Sequence, residues 1–380
     1  MKSLQMQSCV HEEGTIECAL FEVDIASPKD NEVMVKIEAS PINPSDLGLM
    51  FGAADVGSIR ASERNGHPSI VLDVPPPAMR AMATRVGEWL PVGNEACGTV
   101  VEAGASPAAQ ALLGKRVALF GGEMYSDYRT VSIFQCIPLP DSTTPEEGAS
   151  CFVNPMTALG FVETMKMEGH KAIVHTAAAS NLGQMLNRIC LNDGIPLVNI
   201  VRSEDQVSLL KSQGAEYVVN SSDANFAEQL TAALNATGAT LAFDAIGGGK
   251  LGNAILMAME AAAVQRMTEW SRYGSNEFKQ LYIYGALDLA PTTLNRGYGF
   301  SWGIGGWLLT PFMMKAGREV VDRMQAKVVA ELTTTFASGY SDRISLAESV
   351  TPGAGAKYGV RATGQKALIT FYLSHRRVCR

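Results

Sequence analysis

No apolar run in this 380-residue chain approaches the length needed to cross a bilayer. The opening stretch, Met1 to Gly14, has no apolar core of the kind that directs secretion, so the cytoplasm is the expected location. Cysteine is sparse and dispersed, with seven residues at positions 9, 18, 97, 136, 151, 190 and 379 and no Cys-x-x-Cys pair. That distribution argues against a disulfide framework or a zinc knuckle and suits small buried apolar side chains. Excess positive charge is missing too. The 31 Lys and Arg against 38 Asp and Glu leave a net charge of −7. Nucleic acid and anionic membranes are thereby poor main partners, although an anionic cofactor could still occupy a local basic pocket. There is no internal repeat and no low-complexity tract. With 47% hydrophobic and 18% charged residues, the chain reads as a soluble globular protein with length for two domains, each with its own core.

Two textures divide the chain. Up to about residue 150, short β-rich runs (Ala19 to Val23, Glu32 to Ile37, Gly98 to Glu102, Arg116 to Phe120) are separated by Pro, Gly, Asn and Asp clusters. This predicts a small, largely antiparallel β domain. From 151 to about 290, strands alternate with helices. Tyr217 to Asn220, Thr240 to Ala245 and Leu281 to Tyr284 read as strands, and Ser203 to Gln213, Asp223 to Asn235 and Lys250 to Arg266 as helices. That alternation predicts a doubly wound parallel sheet, an α/β fold. The tail Gln365 to Phe371 reads as a closing strand that returns to the first domain.

The organising stretch is Lys171 to Arg202: a short apolar run, a small-residue turn from Thr176 to Asn181, a helix with Leu182, Met185, Leu186 and Ile189 on one face, and a second apolar run from Leu197 to Val201. Such a unit presents a helix N-terminus to a phosphate. Glycine is scarce where a dinucleotide fold usually shows G-x-G-x-x-G. The chain has Ala178, Ser180 and Gly183, with Asn181 at a further usual glycine position. Ala and Ser are small enough for a pyrophosphate to approach the backbone, and Asn accepts positive φ. An ordinary small-residue turn is the alternative. The second strand ends at Arg202, not at the Asp or Glu that usually holds a ribose hydroxyl, and Arg can pair with the 2′-phosphate of NADP. Ser203 with Gln206 reads as a capping box for the next helix.

Taken together, Pro41-Ile42-Asn43-Pro44-Ser45-Asp46, Gly93-Asn94-Glu95, Asn154-Pro155-Met156-Thr157-Ala158, the Arg202 strand, LLKSQGAEYVVNSS and Asp244-Ala245-Ile246-Gly247 resemble the medium-chain dehydrogenase/reductase superfamily. The closer likeness is to its zinc-independent branch of quinone oxidoreductases and 2-enoyl thioester reductases. The resemblance implies a GroES-like β domain over 1–150, completed by about 310–380, and an NADP-binding Rossmann domain over 151–309. It implies cofactor contacts at Ala179, Ser180, Asn181, Leu182, Gly183, Arg202, Ile246, Gly247, Tyr284, Gly285 and Ala286, with Thr157 on the nicotinamide side. Where zinc-dependent members carry Cys and His ligands, this chain has Asn43 and Asn94, and the third position, near Val153 and Asn154, has no Cys. Neutral amides are poor zinc ligands, so no metal is expected.

Without a metal to polarise a carbonyl, the suitable acceptor for a hydride from NADPH is a quinone or an α,β-unsaturated carbonyl, in which charge delocalises onto oxygen. Asn43 and Ser45 could bind the acceptor oxygen. Asn43 reads equally well as a turn residue, and Ser45 and Asp46 read better as helix caps. Enoyl reductases of this branch place a Tyr proton donor just after the INPSD-type loop, where this chain has Met50-Phe51-Gly52-Ala53-Ala54. Tyr125 or Tyr128 could substitute, or be packed β-domain tyrosines. Three readings stand: a quinone or enone reductase, a 2-enoyl thioester reductase, and a non-catalytic NADPH-binding protein. Ala53 to Leu90, containing Pro75-Pro76-Pro77, reads as a long connection that covers a site mouth, makes an oligomer contact or is simply a surface insertion. Aromatics among glycines from Gly297 to Trp307 make Trp302 and Phe300 candidates for an acceptor-stacking wall, or for a packing strip. Relatives of this type are commonly homodimers, and the last strand of such a sheet offers a pairing edge.

Overall fold

The computed structural model describes residues 1–360, 364 and 366–371. Cys379 and Gln365, which figure in the sequence reading, lie outside them. Two compact units result: Met1–Val153 with the return from Val328, and Asn154–Lys327.

The first unit holds two sheets. One runs Asp55–Arg64, His67–Asp73, Thr15–Asp24, Lys2–His11 and Leu90–Pro91 in spatial order. The other runs Cys136–Pro138, Arg116–Phe120, Glu95–Ala103, Glu32–Pro41, Ala367–Thr370 and Asp342–Ile344, with Tyr128–Ser132 also pairing with Glu32–Pro41. Apart from the parallel pair formed by Asp342–Ile344 and Ala367–Thr370, the pairings between these named strands are antiparallel. Period-two burial turns Met6, Val10, Ile16, Leu20, Val33, Val35 and Ile37 into one core.

The stretch read as a long connection is mostly a hairpin. Asp55–Arg64 pairs with His67–Asp73 across Asn65 and Gly66, whose φ values of 54° and 77° are the left-handed pair that an Asn-Gly two-residue turn supplies. A short helix, Pro76–Ala81, follows it. The alternation is hidden in the sequence because Asp55–Arg64 is an exposed edge strand with few apolar residues.

The second unit is built on a six-stranded parallel sheet in the spatial order Tyr217–Asn220, Leu197–Val201, Ile173–His175, Leu241–Asp244, Lys279–Ile283, Trp302–Gly306, with a second, two-stranded sheet formed by Gly247–Gly249 and Asp288–Thr292. Numbered along the chain, that order is third, second, first, fourth, fifth, sixth, the doubly wound arrangement of dinucleotide folds. The inner strands Leu197–Val201, Ile173–His175 and Leu241–Asp244 are buried along their whole length because both faces are covered. Ile173, Val174, Val198, Leu241, Ala242, Phe243 and Leu281 are all fully buried.

Candidate functional site

In the second unit, strand Ile173–His175 passes through the turn Thr176 to Ser180 into helix Asn181–Asp193. Ser180 is the N-cap, its hydroxyl accepting the Gly183 N–H at 3.1 Å. A side chain at Gly183 would lie 2.2 Å from the Ala178 carbonyl oxygen, so only glycine lets helix and strand approach this closely. Ala177 adopts φ 51°, the left-handed conformation for which glycine is usual. Leu182 and Ala179 are buried in the turn's base.

Arg202 ends strand Leu197–Val201 with an exposed side chain and no ion-pair partner among the described residues. Glu204, the nearest acid, instead accepts from the Asn220 amide at 2.8 Å. The expected capping box at Ser203 does not form. Ser203 makes no side-chain cap bond, and Gln206 accepts the Arg202 N–H at 3.1 Å, one residue earlier.

Asp244 ties the carboxyl ends of the strands together. Its carboxylate accepts the Thr176 hydroxyl at 2.7 Å and the N–H groups of Ile246 and Gly247 at 2.9 and 3.2 Å. Thr176 in turn accepts the Ala245 N–H at 2.8 Å. Gly247 has φ 77°, and a side chain there would strike the Gly285 carbonyl at 2.7 Å; one at Gly285 would strike Ala245 at 2.6 Å. The backbones at 245–247 and 284–286 are therefore held close together, and the N–H of Tyr284 donates to the Asp244 carbonyl. The Tyr284 hydroxyl lies 2.7 Å from His175 Nε2. Burial pushes the His175 imidazole down to about 3, so it is neutral.

In the first unit, Asn43 is the N-cap of helix Pro44–Met50. Asp46, read from the sequence as a cap, lies inside the first turn and reaches back to accept the Asn43 N–H at 2.8 Å. Its other oxygen accepts the Asn94 N–H at 2.8 Å. Asn43, 1% exposed, donates its amide to Glu95 at 2.8 Å, and its Oδ1 has no partner among the described residues. Glu95 also accepts the N–H groups of Phe152 and Val153 at 3.0 and 2.8 Å. Burial pushes the Asp46 carboxyl up to about 7, raises that of Glu95, and pushes the nearby Lys366 ammonium down to about 8. Ser45 is exposed and Asn94 half-buried, and an amide-to-hydroxyl bond of 3.0 Å joins them.

Tyr125 is fully buried and donates its hydroxyl to the Pro41 carbonyl at 3.0 Å, which is the geometry of a packed core tyrosine. Tyr128 is half-buried on the strand Tyr128–Ser132. Thr157 is buried on helix Val153–Met167. Trp302 packs edge-on to Tyr298 at 5.1 Å against the core of the second unit, whereas Phe300 is 85% exposed. His175 and Asp244 did not stand out as site residues in the sequence. The available signal was a polar residue closing each short apolar run, Ile173-Val174-His175 and Leu241-Ala242-Phe243-Asp244. Among the described residues, no three His, Cys, Asp or Glu side chains gather as a metal-binding group.

No protein-family model matches the chain. A mitochondrial enoyl acyl-carrier-protein reductase from Xenopus tropicalis is 26% identical over 236 residues, covering 60% of this chain and 59% of its own length. The chain thus spans less than two thirds of that relative. The solved structure of a candidate NADPH:quinone reductase from Mesorhizobium loti matches at TM-score 0.71 and 25% identity, covering 97% of this chain and 98% of the other. These relatives and structural neighbours are quinone oxidoreductases and enoyl thioester reductases, the zinc-independent medium-chain branch that the sequence resembles. Their fold is also that of Escherichia coli quinone oxidoreductase, solved with NADPH, at TM-score 0.68 and 17% identity over 97% of this chain and 99% of that one.

Proposed function

We propose that this chain binds NADPH and transfers its hydride to a quinone or an α,β-unsaturated carbonyl. One observation carries the reading. The strand-turn-helix at Ile173–Asp193 closes too tightly at Gly183 for any side chain, and the neighbouring strand is followed by the exposed Arg202, without an ion-pair partner among the described residues, where a ribose-binding acid would stand. A helix N-terminus at that turn suits a pyrophosphate, and a guanidinium suits the 2′-phosphate. The backbone at Ala179 to Gly183 would hold the diphosphate. The closely packed 246–247 and 284–286 segments, with Thr157, would hold the rest of the dinucleotide.

NADPH supplies the hydride when bound. In the first unit, Ser45 and Asn94 supply an exposed hydroxyl and a half-buried amide to hold an acceptor oxygen, while Asn43 is held from behind by Glu95. The name of the Mesorhizobium loti neighbour supports the quinone reading. A second reading, a 2-enoyl thioester reductase, is supported by the name of the Xenopus relative. The proposal extends to a homodimer in the cytoplasm. Strand Trp302–Gly306 has a neighbour on one side only, and among the described residues no helix is long and apolar enough to cross a membrane.

The test is loss of NADPH absorbance with purified, chelator-treated protein, offering benzoquinone, phenanthrenequinone, a simple enone and crotonyl-CoA in parallel. Turnover of quinones or the enone, unchanged by chelation, supports the main reading. Preference for crotonyl-CoA shifts it to the thioester reductase. Saturable NADPH binding with no turnover of any of the four overturns both and leaves a cofactor-binding protein.

A further inference from the structure

Among the buried polar atoms of the second unit that no described group satisfies are Nδ1 of His175, Nδ2 of Asn187 and Oδ1 of Asn199. His175 and Asn199 are 0% exposed and Asn187 is 2% exposed. His175 and Asn199 are register partners on the adjacent parallel strands Ile173–His175 and Leu197–Val201, so their side chains leave the same face of the sheet. Asn187, on helix Asn181–Asp193, meets Asn199 through a single amide-to-carbonyl bond of 3.3 Å. Buried polar atoms are almost always hydrogen-bonded, and three gathered at one place call for a shared partner.

We propose that one ordered water is bound here, bridging Asn187, Asn199 and His175, and that it fixes His175 as the tautomer carrying its proton on Nε2. The water accepts the Asn187 N–H and gives one hydrogen to Asn199 Oδ1. Its second hydrogen then goes to His175 Nδ1. Exchanging oxygen and nitrogen on both asparagines leaves the same set, one amide donor and one amide acceptor, so the count does not depend on how the amides are oriented. With Nδ1 accepting, Nε2 carries the proton and donates it to the Tyr284 oxygen, 2.7 Å away. The hydroxyl proton of Tyr284 is then free.

The opposite tautomer would leave a hydrogen of the buried water unused. The first arrangement puts the spare proton on Tyr284, which is partly exposed and lies just past the carboxyl end of strand Lys279–Ile283. Ligands approach open α/β sheets at that end. Tyr284 thereby keeps its own hydroxyl proton available as a donor, set in that role from beneath by a water. Because burial keeps His175 neutral, the choice of tautomer is not overridden by protonation near neutral pH.

Long-range proton–nitrogen correlation spectra of protein labelled with nitrogen-15 at histidine test the inference. The expected result is the nitrogen shift pair of an Nε2–H imidazole for His175, unchanged through neutral pH. An Nδ1–H pattern, or a titration near neutrality, overturns it. A high-resolution crystal structure should show one water within hydrogen-bonding distance of all three atoms, and a dry contact there also overturns it. In Asn199→Leu the His175 signals should move to a mixture of tautomers, and an unchanged spectrum counts against the bridge. If that variant does not fold, the wild-type spectrum and structure still decide.

Discussion

Arg202 is a single exposed guanidinium on which the proposed preference for NADPH over NADH rests. Charge-assisted pairs of this kind contribute about 1.5–3 kcal/mol, or roughly ten- to a hundredfold in affinity. Arg202→Ala is expected to weaken NADPH by about that factor while leaving NADH nearly unchanged, as measured by fluorescence titration. Equal losses for both would show that Arg202 does not read the 2′-phosphate. Its position was legible in the sequence, because the apolar run Leu197 to Val201 marks a strand and Arg202 directly follows it. Tyr125 could not be settled in the same way. Only the coordinates show its hydroxyl committed to Pro41, and a buried tyrosine and a proton donor look alike in a sequence. The partners of Asn43 were equally hidden, since Glu95 lies fifty-two positions away and the pairing depends on how two loops meet.

At the scale of elements, two contacts are fixed by exclusion and by charge. A methyl group at Gly183 has no room beside Ala178, so Gly183→Ala must push the helix Asn181–Asp193 away from its strand. Overpacking of this type costs about 1–3 kcal/mol. Thermal melts should show that loss together with a large fall in NADPH affinity; full affinity would mean that the turn does not hold the diphosphate. The second contact is Lys279, fully buried at 2.7 Å from Glu260 and also bonded to Ser275. Removing one partner strands the other charge, at a cost of about 3–5 kcal/mol. Lys279→Met should lower the denaturation midpoint accordingly, and a shift within error would show that Glu260 finds another partner. Helices and parallel strands were largely readable because apolar periodicity reports burial directly. The hairpin Asp55–Arg64 with His67–Asp73 was not read, although Asn65-Gly66 announced its turn, because an edge strand carries too few apolar residues to alternate visibly. The capping residue ahead of Glu204 failed for a different reason: Gln206 found the Arg202 N–H first.

For the molecule as a whole, the buried carboxyls beneath the first unit's polar loops couple stability to pH. A carboxyl whose folded value is raised binds its proton more tightly in the native state than in the unfolded one. Stability therefore falls as pH rises between the two values. For Asp46 that window runs from about pH 4 to about pH 7, and Glu95 acts in the same sense. Urea denaturation across this range should show declining stability, and Asp46→Asn should flatten the slope even if the variant is weaker throughout. A slope that is absent in the wild type, or unchanged in the variant, would remove Asp46 from the account.

The sheet order itself has a consequence for biosynthesis. Strand Ala367–Thr370 lies inside its sheet, between Glu32–Pro41 and Asp342–Ile344, although the rest of the sheet is encoded mostly before residue 140. While the chain emerges from a ribosome, Tyr128–Ser132 can pair with residues 32–36, but the edge at residues 39–41 stays open throughout the synthesis of the entire second unit. That unit contains only strands and helices contiguous in the chain and can close on its own schedule. The first unit must wait, with an unpaired edge that any passing β-strand could occupy, so its yield in cells should depend on chaperone supply more than on the final free energy of folding.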